Sequence, residues 1–152
     1  MNSHVSGTSV ELTAVSLAYE VCGTGPALLL LHGFPQNRAI WQPVKDVLSK
    51  HFTLVMPDLR GYGASPKPAS DPEHLTYSKR AMALDLMALM DRLGHQQFGV
   101  VGHDRGARVA HRLAADHGSR VTRLMLLDIS PTLAMYEQTT MTFAAGYWHW
   151  FF

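Results

Sequence analysis

Residues 98–106 read Phe98-Gly99-Val100-Val101-Gly102-His103-Asp104-Arg105-Gly106. A short, mostly apolar run leads into a glycine-flanked turn with an acid at its tip. This is the pattern of a buried strand entering a nucleophile elbow, G-x-Nu-x-G, with Asp104 in the nucleophile position. The flanking glycines let the backbone make a strained turn without Cβ clashes. Such a turn presents its central side chain at the carboxyl end of a sheet. A carboxylate held there is suited to attack a saturated carbon and form a covalent ester. Arg105 sets a fixed positive fork beside it, which suits a substrate that itself carries a carboxylate.

Outward from the elbow, apolar β-rich runs alternate with helical patterns. Ala27 to Leu31 is a continuous apolar run, as expected for a strand covered on both faces. Phe52 to Met56, Phe98 to Val101 and Leu124 to Leu127 are three more. Residues 9–22 alternate by two and predict a hairpin. Between Ser78 and Leu93, Met82, Leu86, Leu89, Met90 and Leu93 fall on one face of a helix, and Gly94 follows where a helix would stop. Strand and helix in alternation predict an α/β fold, a mostly parallel sheet with helices on both faces. Ligands of such sheets bind outside the carboxyl ends of the strands. Polar or glycine-rich turns stand at those ends here: His32-Gly33-Phe34-Pro35, Asp58-Leu59-Arg60-Gly61-Tyr62-Gly63, Asp104-Arg105-Gly106 and Asp128-Ile129-Ser130-Pro131.

The chain has 152 residues, 47% of them hydrophobic and 16% charged, which is a globular composition with material for a real core. A net charge of +1 points to neither a nucleic acid nor an anionic membrane as partner. No apolar run approaches the roughly 20 residues that span a bilayer. The N-terminus lacks the pattern of a signal peptide. The single cysteine, Cys22, excludes an internal disulfide and fits a reducing compartment such as the cytoplasm. No Cys/His spacing suggests zinc or another metal.

With these motifs in view, the chain from about Leu17 onward resembles an α/β-hydrolase. His32-Gly33-Phe34-Pro35 and Asp58-Leu59-Arg60-Gly61-Tyr62-Gly63-Ala64-Ser65 recur in epoxide hydrolases, haloalkane dehalogenases and their relatives. Gly102-His103-Asp104-Arg105-Gly106-Ala107-Arg108-Val109 is more specific and is similar to the fluoroacetate (haloacetate) dehalogenases. Leu127-Asp128-Ile129-Ser130-Pro131-Thr132 and Tyr147-Trp148-His149-Trp150 look like the same family. The resemblance implies hydrolytic dehalogenation of a short 2-haloacid, fluoroacetate or another haloacetate, to glycolate and halide. Asp104 would be the nucleophile. Arg105 and Arg108 would hold the substrate carboxylate. Asp128, 24 residues after Asp104, would orient the catalytic histidine. The backbone N–H groups of Phe34 and Arg105 would form the oxyanion hole, and His149 and Trp150 of a helical cap would donate to the departing halide. The reaction needs no metal or organic cofactor, only water, and the resemblance suggests a homodimer.

The chemistry stands without the name. Displacement beside a carboxylate brings two anions together, and cations at i and i+3 on the helix after the elbow offset their repulsion. Fluoride leaves poorly and needs close N–H donors. The ester then needs a general base and oxyanion donors.

The family's base histidine should follow two further strands, and none of the nine histidines present is placed for that task. The expectation is therefore an N-terminal portion of an α/β-hydrolase. Residues 1–132 would belong to the core and 133–152 to the start of the cap. As an isolated fragment it should be neither stable nor capable of turnover, with an apolar edge strand near 124–127. Epoxide hydrolysis is the alternative activity, although an arginine pair has no purpose there. A non-catalytic carboxylate-binding protein of hydrolase fold is the alternative of a different class. Among the other conspicuous residues, His32 and His103 read as structural hydrogen-bonding groups and Asp58 and Arg60 as braces of their turn. Arg112 reads as surface, and Met82, Met87 and Met90 as core.

Overall fold

A computed structural model of the chain describes residues 14–137 and 139–147. Among the described residues five strands, β1 (Tyr19–Cys22), β2 (Ala27–Leu31), β3 (Thr53–Pro57), β4 (Phe98–His103) and β5 (Val121–Leu127), form one sheet in the order β1-β3-β2-β4-β5. β1 runs antiparallel to β3, and the other pairings are parallel. The helices are α1 (Gln42–Leu48), preceded by a 3-10 turn over Arg38–Trp41, α2 (Lys79–Arg92), α3 (Arg105–Asp116), α4 (Thr132–Glu137) and α5 (Met141–Gly146).

The alternation of strand side chains divides the core in two. Leu29, Leu31, Val55 and Val100 face α2 and α3 in the larger cluster, with Met82, Leu86, Leu89 and Met90 of α2 and Val109, Ala110 and Leu113 of α3. Leu30, Leu54 and Met56 point the other way and pack with Trp41. Helices thus cover both faces, and the central strands read as unbroken apolar runs because neither face meets water. Each fully buried leucine contributes about 1.5–3 kcal/mol of transfer free energy.

α2 begins where its sequence says it should. Ser78 is the N-cap, its Oγ accepting from the Ala81 N–H at 3.2 Å, and Gly94 follows with φ 79°. Met82, Met87 and Met90 are core, as expected. β4 and β5 run longer than their apolar stretches. β5 starts at Val121 because Val121, Arg123 and their successors pair with β4, whatever their polarity. The expected hairpin over residues 9–22 is not formed by the part described. Residues 9–13 lie outside it, residues 14–18 are irregular, and on its described side β1 pairs with β3. Period-two alternation identifies a strand but not its partner.

The topology fixes where a ligand can sit. The chain passes from β2 to β3 on one side, then crosses back over β2 to reach β4 on the other. β2 and β4 are adjacent, with Leu31 opposite Gly102. Their carboxyl ends flank the crevice at which the strand order reverses, and the next residues are His32-Gly33-Phe34 and Asp104.

Candidate active site

Asp104 has φ 49° and ψ −118°, a conformation that costs a non-glycine residue about 1–3 kcal/mol. Its surroundings hold it there. The Asp104 N–H donates to the Leu127 carbonyl at 3.1 Å, and its own carbonyl accepts from the N–H groups of Ala107 and Arg108 at 3.0 and 3.2 Å. The two flanking glycines are required by close approach. A Cβ on Gly102 would lie 2.6 Å from Ala107 Cα, and one on Gly106 would lie 2.3 Å from the His32 carbonyl oxygen. α3 can therefore start hard against the ends of β2 and β4.

The carboxylate of Asp104 points across the crevice, where its Oδ1 accepts from the Phe34 N–H at 2.8 Å. Gly33 makes room for it, since a Cβ there would be 2.7 Å from Oδ1. His32 shapes this turn from below. It is fully buried, and its Nε2 accepts from the Leu59 N–H at 3.0 Å. The proton therefore sits on Nδ1, which donates to the Gly33 carbonyl at 2.9 Å. Burial pushes its pKa down, against the smaller pull of the Gly33 carbonyl and Asp58.

Arg105 and Arg108 diverge. The Arg105 guanidinium lies 4.7 Å from the centroid of the Phe34 ring, and its Nη1 is 3.3 Å from the Tyr62 hydroxyl. It borders a cavity of about 370 Å³ shared with Tyr62, Tyr77 and Met82. Arg108 turns toward α4. Its Nη1 donates to Thr132 Oγ1 at 2.5 Å, and it borders a second cavity, of about 430 Å³, with His111, Pro131 and Tyr136. Burial and then Arg105 act to lower the pKa of Arg108, while Asp104 acts to raise it; an arginine stays charged regardless.

Sequence reasoning passed over Lys79, which borders both cavities. One signal could have found it. Lys79 occupies the first turn of α2, where a cation opposes the positive end of the helix dipole. A residue that breaks a local rule is a candidate for function.

Asp128 follows β5 with φ 57°, and its side chain is 85% exposed. Its Oδ2 stands 3.7 Å from His103 Nε2, too far for a hydrogen bond. His103 is thus not the hydrogen-bonding brace expected of it, since its Nδ1 is buried with no partner. Asp58 and Arg60 do brace their turn. Asp58 accepts from the N–H groups of Arg38 and Ala64 at 2.8 and 2.9 Å and from the Arg38 guanidinium. Arg60 meets both oxygens of Asp85 on α2, at 2.6 and 2.8 Å. Arg112 forms an i,i+4 pair with Asp116 on the surface. His149 and Trp150 lie outside the described residues. Among the described residues no three His, Cys, Asp or Glu side chains converge as metal ligands, and no helix is long and apolar enough to cross a membrane.

Comparison with known proteins agrees with this architecture. Residues 26–152 match the family model of the alpha/beta hydrolase fold. The chain is 50% identical over 143 residues to a fluoroacetate dehalogenase of Burkholderia sp, covering 94% of this chain and 47% of that protein. It is 38% identical over 133 residues to a soluble epoxide hydrolase of Corynebacterium sp. (strain C12), covering 88% of this chain and 45% of that one. A crystal structure from Nostoc sp PCC 7120, assigned to the alpha/beta hydrolases, superposes with a TM-score of 0.88 at 54% identity over 93% of this chain and 49% of that one. The chain spans about half the length of the curated relatives it matches. With a parallel sheet covered on both faces, a strained acid at the end of β4 and a family match from β2 onward, the chain belongs to the alpha/beta hydrolase fold family.

Proposed function

We propose that the protein carrying this sequence hydrolyses the carbon–halogen bond of a short 2-haloacid, a haloacetate such as fluoroacetate, through an ester on Asp104. The observation that carries the reading is the Asp104 carboxylate, set in a strained turn with one oxygen held by Phe34 and Arg105 next in the chain. The 50% identity to a fluoroacetate dehalogenase supports the choice of substrate.

Phe34 distinguishes the two carboxylate oxygens. Oδ1 already accepts the Phe34 N–H. Oδ2 is then the attacking atom: it bonds to the carbon bearing the halogen, and the halide leaves with the bonding electrons. The product is a carboxymethyl ester of Asp104 whose carbonyl oxygen is Oδ1. Water attacks that carbonyl carbon, and the negative charge gathers on Oδ1, where the N–H groups of Phe34 and Arg105 stabilise it. Collapse expels glycolate, whose alkoxide oxygen takes a proton back from the general base, and Asp104, left as the acid, loses its proton to water and returns to the carboxylate. The water's proton goes to a histidine oriented by Asp128, whose exposed carboxylate suits a partner from outside the described residues.

Arg105 and Arg108 hold the substrate carboxylate and offset its repulsion from Asp104. His149 and Trp150 donate to the halide, from a cap that begins at about residue 133. Water is the only other reactant, with no metal or organic cofactor. The protein works in the cytoplasm, as a homodimer.

Epoxide hydrolysis is the second reading, supported by the 38% identity to a soluble epoxide hydrolase. The same carboxylate would open an oxirane, with Tyr62 beside the first cavity as proton donor. The full-length protein is to be assayed for halide release from fluoroacetate and chloroacetate, with D104N as control. Fluoride from the wild type, lost in D104N, is the expected result. Chloride alone would retain the nucleophile and the arginine clamp for a general haloacid dehalogenase. No halide from either would remove the haloacid and bring the epoxide forward.

A further inference from the structure

Lys79 is placed at a cost the described residues do not offset. It is half-buried, it opposes the dipole of α2, and its charged neighbours are Arg105 and Arg108 and, more weakly felt, Asp104. Burial first, then those two guanidiniums, draw its pKa below the ordinary lysine value, and Asp104 acts weakly the other way. Its ammonium has no ion-pair partner among the described residues.

The geometry shows what could offset that cost. Of these two cavities, Arg105 borders the one next to Tyr62 and Tyr77, and Arg108 the one next to Tyr136. Lys79 borders both. The walls of both cavities carry cations and no carboxylate. An anion bound between α2 and α3 would meet a guanidinium from one side and the Lys79 ammonium from the other. It would restore to Lys79 the counter-charge it lacks.

We propose that Lys79 is the third cation of the anion site, joining the Arg105 and Arg108 cavities and selecting substrates that carry a carboxylate. The proposal deepens the haloacid reading and rests on it. Both arginines ride on α3, directly after the strained turn, whereas Lys79 comes from α2. The substrate carboxylate is thereby held from two elements, and its position does not depend on the elbow alone. Lys79 is a specificity residue: it takes no part in bond making, and its effect falls on binding.

The test uses the full-length protein with K79M and K79R, and two substrates that differ in charge, chloroacetate and chloroacetamide. K79M should raise KM for chloroacetate by about tenfold or more, the scale of a lost charge-assisted contact, while kcat stays within about twofold. KM for chloroacetamide should not change, and K79R should recover most of the loss. An unchanged KM for chloroacetate in K79M would overturn the proposal, as would equal losses on both substrates, which would mark a scaffold role. Should the wild type release chloride from neither, the haloacid reading fails on its own, and calorimetric titration with glycolate then decides on Lys79. Weaker binding in K79M with recovery in K79R supports it, and equal binding in all three proteins overturns it.

Discussion

The Phe34 amide donates to Asp104 Oδ1 at 2.8 Å, joining residues 70 apart in sequence across the seam where the strand order reverses. The bond does two things. It fixes the rotation of the carboxylate, and it places a donor on the oxygen where charge would gather when water attacks an ester formed through Oδ2. Its geometry depends on Gly33, the residue between His32 and Phe34.

Gly33→Ala tests that dependence. The added Cβ would fall 2.5 Å from Asp104 Cβ and 2.7 Å from Oδ1. Asp104 cannot retreat, because its backbone is bonded to Leu127, Ala107 and Arg108. Halide release should fall by about 100-fold or more through misplacement of the nucleophile, and overpacking should cost about 1–3 kcal/mol in stability. Assay and urea denaturation of the same preparation check both. Unimpaired turnover would show that the crevice has slack the structure does not.

The Arg60–Asp85 pair ties the turn after β3 to α2. Its side chains are 4% and 1% exposed, and Asp85 also accepts the Val15 N–H at 2.6 Å. Removing one partner leaves the other charge buried without this counter-ion. Asp85→Asn or Arg60→Met should each destabilise the fold by about 3–5 kcal/mol. In a double-mutant cycle the pair should cost less than the sum of the singles. Urea midpoints of the four proteins give the result.

His32 predicts a pH dependence of stability. Burial lowers its folded pKa below the ordinary histidine value. Between the folded and unfolded values the unfolded chain binds more protons, so stability rises with pH there. The contribution is complete above about pH 6.5 and is lost as pH falls toward the folded value. In His32→Gln that part of the slope between about pH 5 and about pH 7.5 should vanish, although the variant is less stable throughout. Urea titrations across that range check it, and an equal slope in both proteins would place the titration elsewhere.

β5 is an edge strand of the described sheet, with Leu124, Met125 and Leu127 between 37% and 57% exposed. A long apolar edge is a template for pairing with another chain. The 152-residue chain on its own should self-associate, and Met125→Lys should shift it toward monomer in sedimentation velocity. A monodisperse monomer without the substitution would contradict the assignment of this edge.

How much of this was legible in the sequence differs by residue. The elbow was legible because glycine, acid and strand occur together only where a strained turn follows a buried strand. α2 was legible to within a residue because a cap, an apolar face and a terminal glycine agree. β1 was legible as a strand, but its pairing with β3 was not, because alternation reports the face of a strand and says nothing of its neighbour. The family resemblance implies that Arg105 and Arg108 act as one clamp, but neither it nor their i, i+3 spacing can show that α4 draws Arg108 toward a separate cavity through Thr132. Lys79 was overlooked because a lysine at a helix end is ordinarily solvated, and only the fold brings it against α3. His103 carried no pattern that could have told its unbonded state from that of His32.

The central claim is that Asp104 forms the ester, and one turnover in heavy-oxygen water tests it most directly. With the full-length protein in excess over chloroacetate, the oxygen that enters glycolate should come from Asp104, so the glycolate should be unlabelled. The label should then be found in the peptide containing Asp104. Labelled glycolate with an unlabelled peptide would mean that water attacks the substrate directly, and would contradict the account.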